Sequence, residues 1–173
     1  MPNRKDLILK RLVEEGRKTA AFFAALPAAQ FGQAVYTTGP EWQARDLIAH
    51  LVSTERTLLH YARDVLAGGP GVPENFAIDA YNAEQTAALR TAAVGELVAA
   101  FETARAETAA LVAGLADADL DRLIFHPWLG RAPLEQVFKL LYRHTMLHER
   151  DVRRALETGQ PVPHVDSTPP AAA

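Results

Sequence analysis

A chain of 173 residues with a formal net charge of −3 and an isoelectric point near 6.1 is long enough to bury a core of its own. It lacks the basic excess with which nucleic-acid-binding proteins neutralise phosphates, and no run approaches the roughly 18 uncharged apolar residues of a membrane helix. The absence of cysteine excludes disulfides, thiolate metal sites and a cysteine nucleophile, so any metal ligands must be His, Asp or Glu.

The opening "MPNRKDLILKRLVEEGRKTA" breaks its apolar positions with charges and has no signal-peptide core, so a cytoplasmic location is expected. A first helix is predicted over residues 5–26, with Leu9, Leu12 and Val13 followed by Ala20, Phe23 and Leu26, and Pro27 at its end. The segment "AAQFGQAVYTTGPE" reads as a long loop crossing the end of a bundle. A second helix starts near Glu41 or Trp42 and runs to Ala67, its apolar stripe made by Leu47, Ile48, Leu51, Leu58, Ala62 and Val65. "GGPGVP" then breaks the chain. Residues 75–115 are helical but too long for one element of a small domain. An interruption or kink is expected at "TAAVGEL", residues 91–97, since Gly95 is a poor helix-interior residue. "ADADLDRLIFHPWLGRAP" reads as a loop. The last helix opens near Pro133 and closes at Thr158 before a Gly159 cap. The Pro-rich tail, 159–173, is expected to be extended or disordered. The predicted fold is all-α, a four-helix bundle with an interrupted third helix and a long first connection.

Two histidines, His144 and His148, stand four apart on this last helix. Its apolar face runs Leu134, Val137, Phe138 and Leu141, and seven residues after Val137 and Leu141 come His144 and His148. Both imidazoles are therefore expected to face the bundle interior, with Cβ atoms about 6 Å apart. On the second helix His50 lies beside the stripe of Leu47 and Leu51, and antiparallel packing would bring it to the pair. Neutral imidazoles suit zinc, nickel or iron, and three protein ligands leave one position open. Packed histidines that donate to backbone carbonyls explain the same pattern, and spacing leaves both readings standing.

Other chemistries lack their motifs. "HERDV" has no second His for a zinc-protease HExxH, and no Glu-x-x-His marks a di-iron bundle. Ser53 and Ser167 have no G-x-S-x-G around them, and "GGPGVP" lacks the Lys-Ser/Thr ending of a P-loop.

"EWQARDLIAHLVSTE" and "RHTMLHERDVRRAL", with "AIDAYNAEQTA" and "FHPWLGRAPLEQ" between them, resemble the DinB-like superfamily of metal-binding four-helix bundles. That superfamily includes the N-terminal domain of mycothiol-dependent maleylpyruvate isomerase and related bacillithiol and mycothiol transferases. The likeness covers residues 5–158, so a single DinB-like bundle over 1–158 is expected, followed by the tail. The resemblance implies a divalent metal, zinc first and nickel or iron next, on His50, His144 and His148. Asp46 and Asp151 are candidates to orient the imidazoles, with helix-end ion pairing as their alternative. His60 lies about 15 Å further along its helix than His50. His126 is expected to pack or cap within its loop, and His164 sits in the tail. The isomerase carries an additional C-terminal domain, so isomerase activity itself is not expected here.

The implied function is a metal-dependent thiol S-transferase, in which a low-molecular-weight thiol attacks a small electrophile. Metal-dependent hydrolysis and a non-catalytic binding or stress-response module are the alternatives. The catalytic residues are not specified by the sequence. The expected partners are small molecules, not nucleic acid or membrane, and unpaired apolar helix faces leave a homodimer open.

Overall fold

The computed structural model describes residues 3–164. Its elements in chain order are α1 (Arg4–Ala25), α2 (Ala44–Leu66), α3 (Ile78–Ala88), α4 (Val94–Gly114), β1 (Leu123–His126), β2 (Gly130–Pro133) and α5 (Leu134–Thr158). Short 3₁₀ turns lie at Ala28–Gly32 and Asp117–Asp121. Helix α1 packs on α4 and α5, and α2 packs on the same two helices. Consequently α1 and α2 occupy opposite corners of a four-helix bundle, and the connection between them has to be long because it crosses the bundle end. Helix α3 lies outside this bundle against α2.

The helices begin and end where local chemistry satisfies their free backbone groups. The Asn3 side chain accepts from the Asp6 N–H at 2.8 Å and caps α1. The Asp46 carboxylate reaches back to the Gln43 N–H at 3.0 Å and caps α2. This helix starts two residues later than the sequence suggests, because Trp42 and Gln43 are held in extended pairing: the Val35 N–H donates to the Trp42 carbonyl at 2.9 Å, and Ala34 bridges Gln43. At the far end Gly159 adopts φ 67°, the left-handed cap that α5 requires.

Three sequence expectations are corrected. The buried stripe of α1 is Ile8, Leu12, Glu15, Thr19 and Phe23, while Val13 is half exposed. The break in the third helical region falls at 89–93, overlapping the expected 91–97, but Gly95 itself sits within the first turn of α4, where the Glu96 carboxylate accepts from the Ala93 N–H at 2.9 Å. The segment before α5 is an antiparallel hairpin pairing Ile124 with Ala132 and His126 with Gly130. Ile124 and His126 face inward and Leu123 outward, a period-two pattern carried by only four residues. Gly130 has φ 66°, which the turn needs and an L side chain resists.

The core separates into two apolar clusters. One gathers Phe23, Trp42, Leu47, Ile48, Phe101 and Val152; the other gathers Ile8, Leu12, Leu58, Leu120, Ile124 and Phe138. Each bundle helix also contributes a polar side chain to an interhelical contact. Arg105 of α4 meets Glu55 of α2 at 2.9 Å with both side chains buried, and Thr19 of α1 donates to Glu149 of α5 at 2.8 Å. His144 and His148 lie on α5 between Leu141, whose carbonyl Arg105 reaches, and Glu149.

Candidate metal centre

Helix α5 carries His144 and His148 on successive turns of its buried face, and α2 brings His50 across from the opposite wall. All three are buried, with 3%, 5% and 0% exposure for His50, His144 and His148. The Nε2 atoms converge: His50 to His144 is 3.2 Å and His148 to His144 is 2.8 Å. Among the described residues, this is the one group of three or more His, Asp or Glu side chains whose ligand atoms lie within 4.8 Å of one another. A tetrahedral ion about 2.0–2.1 Å from each nitrogen needs N···N separations of roughly 3.3 Å. Two of the three separations lie within about half an ångström of that value and the third is no more than 4.8 Å, so the donor set fits a divalent metal.

Protonation favours the same use. Burial, followed by the neighbouring imidazoles, pushes His50 and His148 well below the usual histidine range, and His144 down to about 3. At neutral pH all three rings are therefore neutral, the state that ligates. Offering Nε2 to an ion requires the ring proton on Nδ1. For His148 an acceptor stands ready, since Tyr36 Oη lies 2.5 Å from Nδ1. Tyr36 Oη in turn donates to Asp151 Oδ2 at 3.3 Å, and Arg150 holds Asp151 Oδ1 at 2.8 Å. Asp151 thus bears on the imidazole through a tyrosine. His50 Nδ1 has no hydrogen-bond partner among the described residues, and the Trp42 ring lies over that imidazole with centroids 4.5 Å apart.

The other histidines divide. Asp46, the second orienting candidate, spends its carboxylate on the α2 cap and on Arg90 Nε at 3.4 Å, the helix-end alternative. His60 is exposed and outside the cluster. His126 is buried in the hairpin, where Nδ1 accepts from the Trp128 N–H at 3.2 Å. His164, which the sequence leaves in a tail, stands beside the centre, its ring 5.9 Å from His148 and 4.4 Å from Tyr36. Val162 puts it there by pairing with the 35–37 strand-like segment: Val162 N–H to Val35 O is 2.8 Å, and Thr37 N–H to Val162 O is 2.9 Å. Residues 165–173, the rest of that tail, lie outside the described residues.

Sequence spacing does not reveal Tyr36. It comes from a loop 112 residues before His148, and no helical period links the two. The tryptophan before α2 was visible as part of a motif, though its position over His50 was not.

Two cavities meet at the histidines. A narrow slot of about 40 Å³ runs between α2, α3, the hairpin and α5, past His50 and His144, and is walled largely by Tyr61, Phe76, Tyr81 and Trp128. A wider cavity of about 330 Å³ opens on His50 and His148 between Trp42, Asn82 and Trp128.

The fold and the cluster define a four-helix bundle with a buried three-histidine centre. The chain belongs to the DinB superfamily, whose family model matches residues 11–152. No curated protein matches it. Among solved structures it is similar to YfiT from Bacillus subtilis, described as a probable metal-dependent hydrolase with an unusual four-helix bundle topology. The identity is 17% and the TM-score 0.66, with 90% of this chain and 88% of that one covered. Mycothiol-dependent maleylpyruvate isomerase is similar at 15% identity and TM-score 0.69; the match covers 88% of this chain and 61% of that protein. The colibactin self-resistance protein ClbS, solved in complex with double-stranded DNA, is similar at 10% identity and TM-score 0.71, over 88% of this chain and 95% of that one. At these identities the likeness is one of fold. No described helix is long and apolar enough to cross a membrane.

Proposed function

We propose that the protein binds a divalent metal ion through Nε2 of His50, His144 and His148 and is a metal-dependent enzyme of the thiol-dependent S-transferase type, acting on a small electrophile. The observation that carries this reading is the convergence of three buried, neutral imidazoles at the junction of two cavities. Zinc is the first assignment, with nickel and iron next, since each accepts imidazole nitrogen. When bound, the ion would supply the positive charge that keeps a thiol or water deprotonated near neutral pH. The protein's own part is to hold the donor atoms. Tyr36 takes the His148 Nδ1 proton into a hydrogen bond, so that Nε2 faces the centre. Trp42 confines His50. The slot and the wider cavity give the electrophile and the thiol separate approaches.

Hydrolysis is the second reading, favoured by the likeness to YfiT. A non-catalytic binding or stress-response module is the third. The same proposal places the protein in the cytoplasm, with small molecules as its partners in preference to nucleic acid, given the net charge of −3, and a homodimer as the assembly to test.

Metal analysis of untagged protein purified without chelators tests the site. We expect close to one equivalent of a transition metal, directly or after reconstitution, and loss of it in the His144→Ala/His148→Ala variant. Less than about a tenth of an equivalent in the wild type, with no uptake on reconstitution, would sink the site. Thiol-conjugation assays against an electrophile panel, beside an ester and amide panel, then separate transferase from hydrolase. Inactivity across both, with metal bound, selects the module.

A further inference from the structure

The hairpin holds a histidine that the metal ligation leaves unused. His126 ends β1 opposite Gly130, and the turn between them folds the Trp128 N–H onto His126 Nδ1 at 3.2 Å. The Leu129 N–H donates to the His126 carbonyl at 3.1 Å, which fixes the residue from its backbone as well. The side chain is 4% exposed, and burial lowers its pKa to about 4, so the ring is neutral at pH 7. A neutral imidazole carries one proton. Because Nδ1 accepts, the proton sits on Nε2.

Among the described residues Nε2 has no hydrogen-bond partner, and the ring lines the slot together with His50 and His144. The Nε2–H group is open to the slot, so an oxygen brought by a ligand can accept from it. Thr54, Thr57, Tyr81 and Asn82 also line the slot with polar groups, but His126, unlike them, is a ring fixed at Nδ1 with its Nε2–H left over. Thr57 and Tyr81 bond their hydroxyls to each other at 2.8 Å, and the remaining wall is mostly aromatic or aliphatic. Neither cavity beside the centre is lined by a lysine or arginine among the described residues. Away from the three histidines, a carboxylate or phosphate in the slot would shed its water with no side-chain cation to replace it. An uncharged carbonyl oxygen needs only one donor.

We propose that the His126 Nε2–H group is a substrate-binding donor for the carbonyl-type oxygen of a small, uncharged electrophile, whose apolar body lies against Tyr61, Phe76 and Trp128. This deepens the proposed function and rests on the three histidines being the reactive centre.

Nuclear magnetic resonance of protein labelled with ¹⁵N-histidine reads the proposal directly, using cyclohexanone and cyclohexanecarboxylate at pH 7.5 as probes. The expected spectrum has the His126 proton on Nε2. Cyclohexanone shifts that resonance, and the carboxylate shifts it with an affinity at least about tenfold weaker. His126→Phe lowers ketone affinity about tenfold, and His126→Gln, which keeps a donor, retains more of it. A proton on Nδ1, an Nε2 resonance unmoved by the ketone, or equal affinity of the metal-free protein for ketone and carboxylate overturns the proposal. So does undiminished ketone binding by His126→Phe. Metal content measured on the same samples keeps the failures apart. Intact ketone binding at His126 in a protein that takes up metal but transfers no thiol supports the donor role and removes the transferase reading alone.

Discussion

Replacing Arg105 with methionine should cost this protein a large part of its stability, and replacing Glu55 at the same time should restore most of it. Arg105 Nη2 lies 2.9 Å from Glu55 Oε2, and the two side chains are 5% and 1% exposed. Arg105 also reaches the Leu12 carbonyl at 3.3 Å and the Leu141 carbonyl at 3.4 Å, and its guanidinium sits 5.2 Å from the Phe101 ring centre. One side chain on α4 thereby touches α1, α2 and α5. Glu55 Oε1 has no partner among the described residues, so the arginine is the carboxylate's sole counter-charge there. Methionine preserves much of the packing but leaves a buried carboxylate alone, a loss of about 3–5 kcal/mol. Against a total of about 5–15 kcal/mol for an ordinary domain, that is severe. The double variant Glu55→Leu/Arg105→Met removes both charges and should fall within about 1 kcal/mol of the wild type or exceed it. Urea unfolding at pH 7, followed by far-ultraviolet circular dichroism, gives the free energies of the wild type, the single variant and the double variant. The reasoning fails if Arg105→Met alone lies within about 1 kcal/mol of the wild type, or if the double variant is as unstable as the single one. Because Leu141 stands one turn before His144, the single variant should also weaken metal uptake.

Tyr36→Phe should lower metal affinity about 10–100-fold, the usual effect of losing the group that orients a ligating imidazole, as read by competition with a chromophoric chelator. Asp151→Asn should have a smaller effect because it bears on His148 only through Tyr36; equal losses would contradict the relay. The metal-free protein should lose stability on acidification. Its buried imidazoles have folded-state pKa values below the unfolded value near 6.5, so the unfolded chain takes up more protons as the pH falls. Stability is then full above about 6.5 and drains below it, by roughly 1.4 kcal/mol per pH unit for each such group. For His144 the window reaches down to about 3. Urea midpoints at pH 8, 6.5 and 5 check this, and a flat profile would mean that the rings are solvated.

The helices were legible because their signals are local. The α2 stripe from Leu47 to Val65 is buried as its spacing requires, and Gly159 ends α5 where glycine alone is comfortable. The inward aim of His144 and His148 followed from the same arithmetic on one helix. The hairpin was missed because four residues give too short an alternation to distinguish from a loop. The break before α4 overlaps the expected segment but ends at Ala93, because a Glu96 cap, and not the weak propensity of Gly95, sets it. His164 reads as tail in the sequence, yet two backbone hydrogen bonds through Val162 carry it to the centre.

The sequence by itself determined the helices, the family pattern and which face of α5 carries the two imidazoles, since all three depend on neighbours along the chain. Tertiary structure alone decided that Tyr36 joins His148 to Asp151, that Asp46 serves a helix cap, and that His126 presents Nε2 beside the cluster. The reason is physical: a hydrogen-bond partner is selected by distance in space, and the long connection across the bundle end and the hairpin bring together residues that no period in the sequence relates.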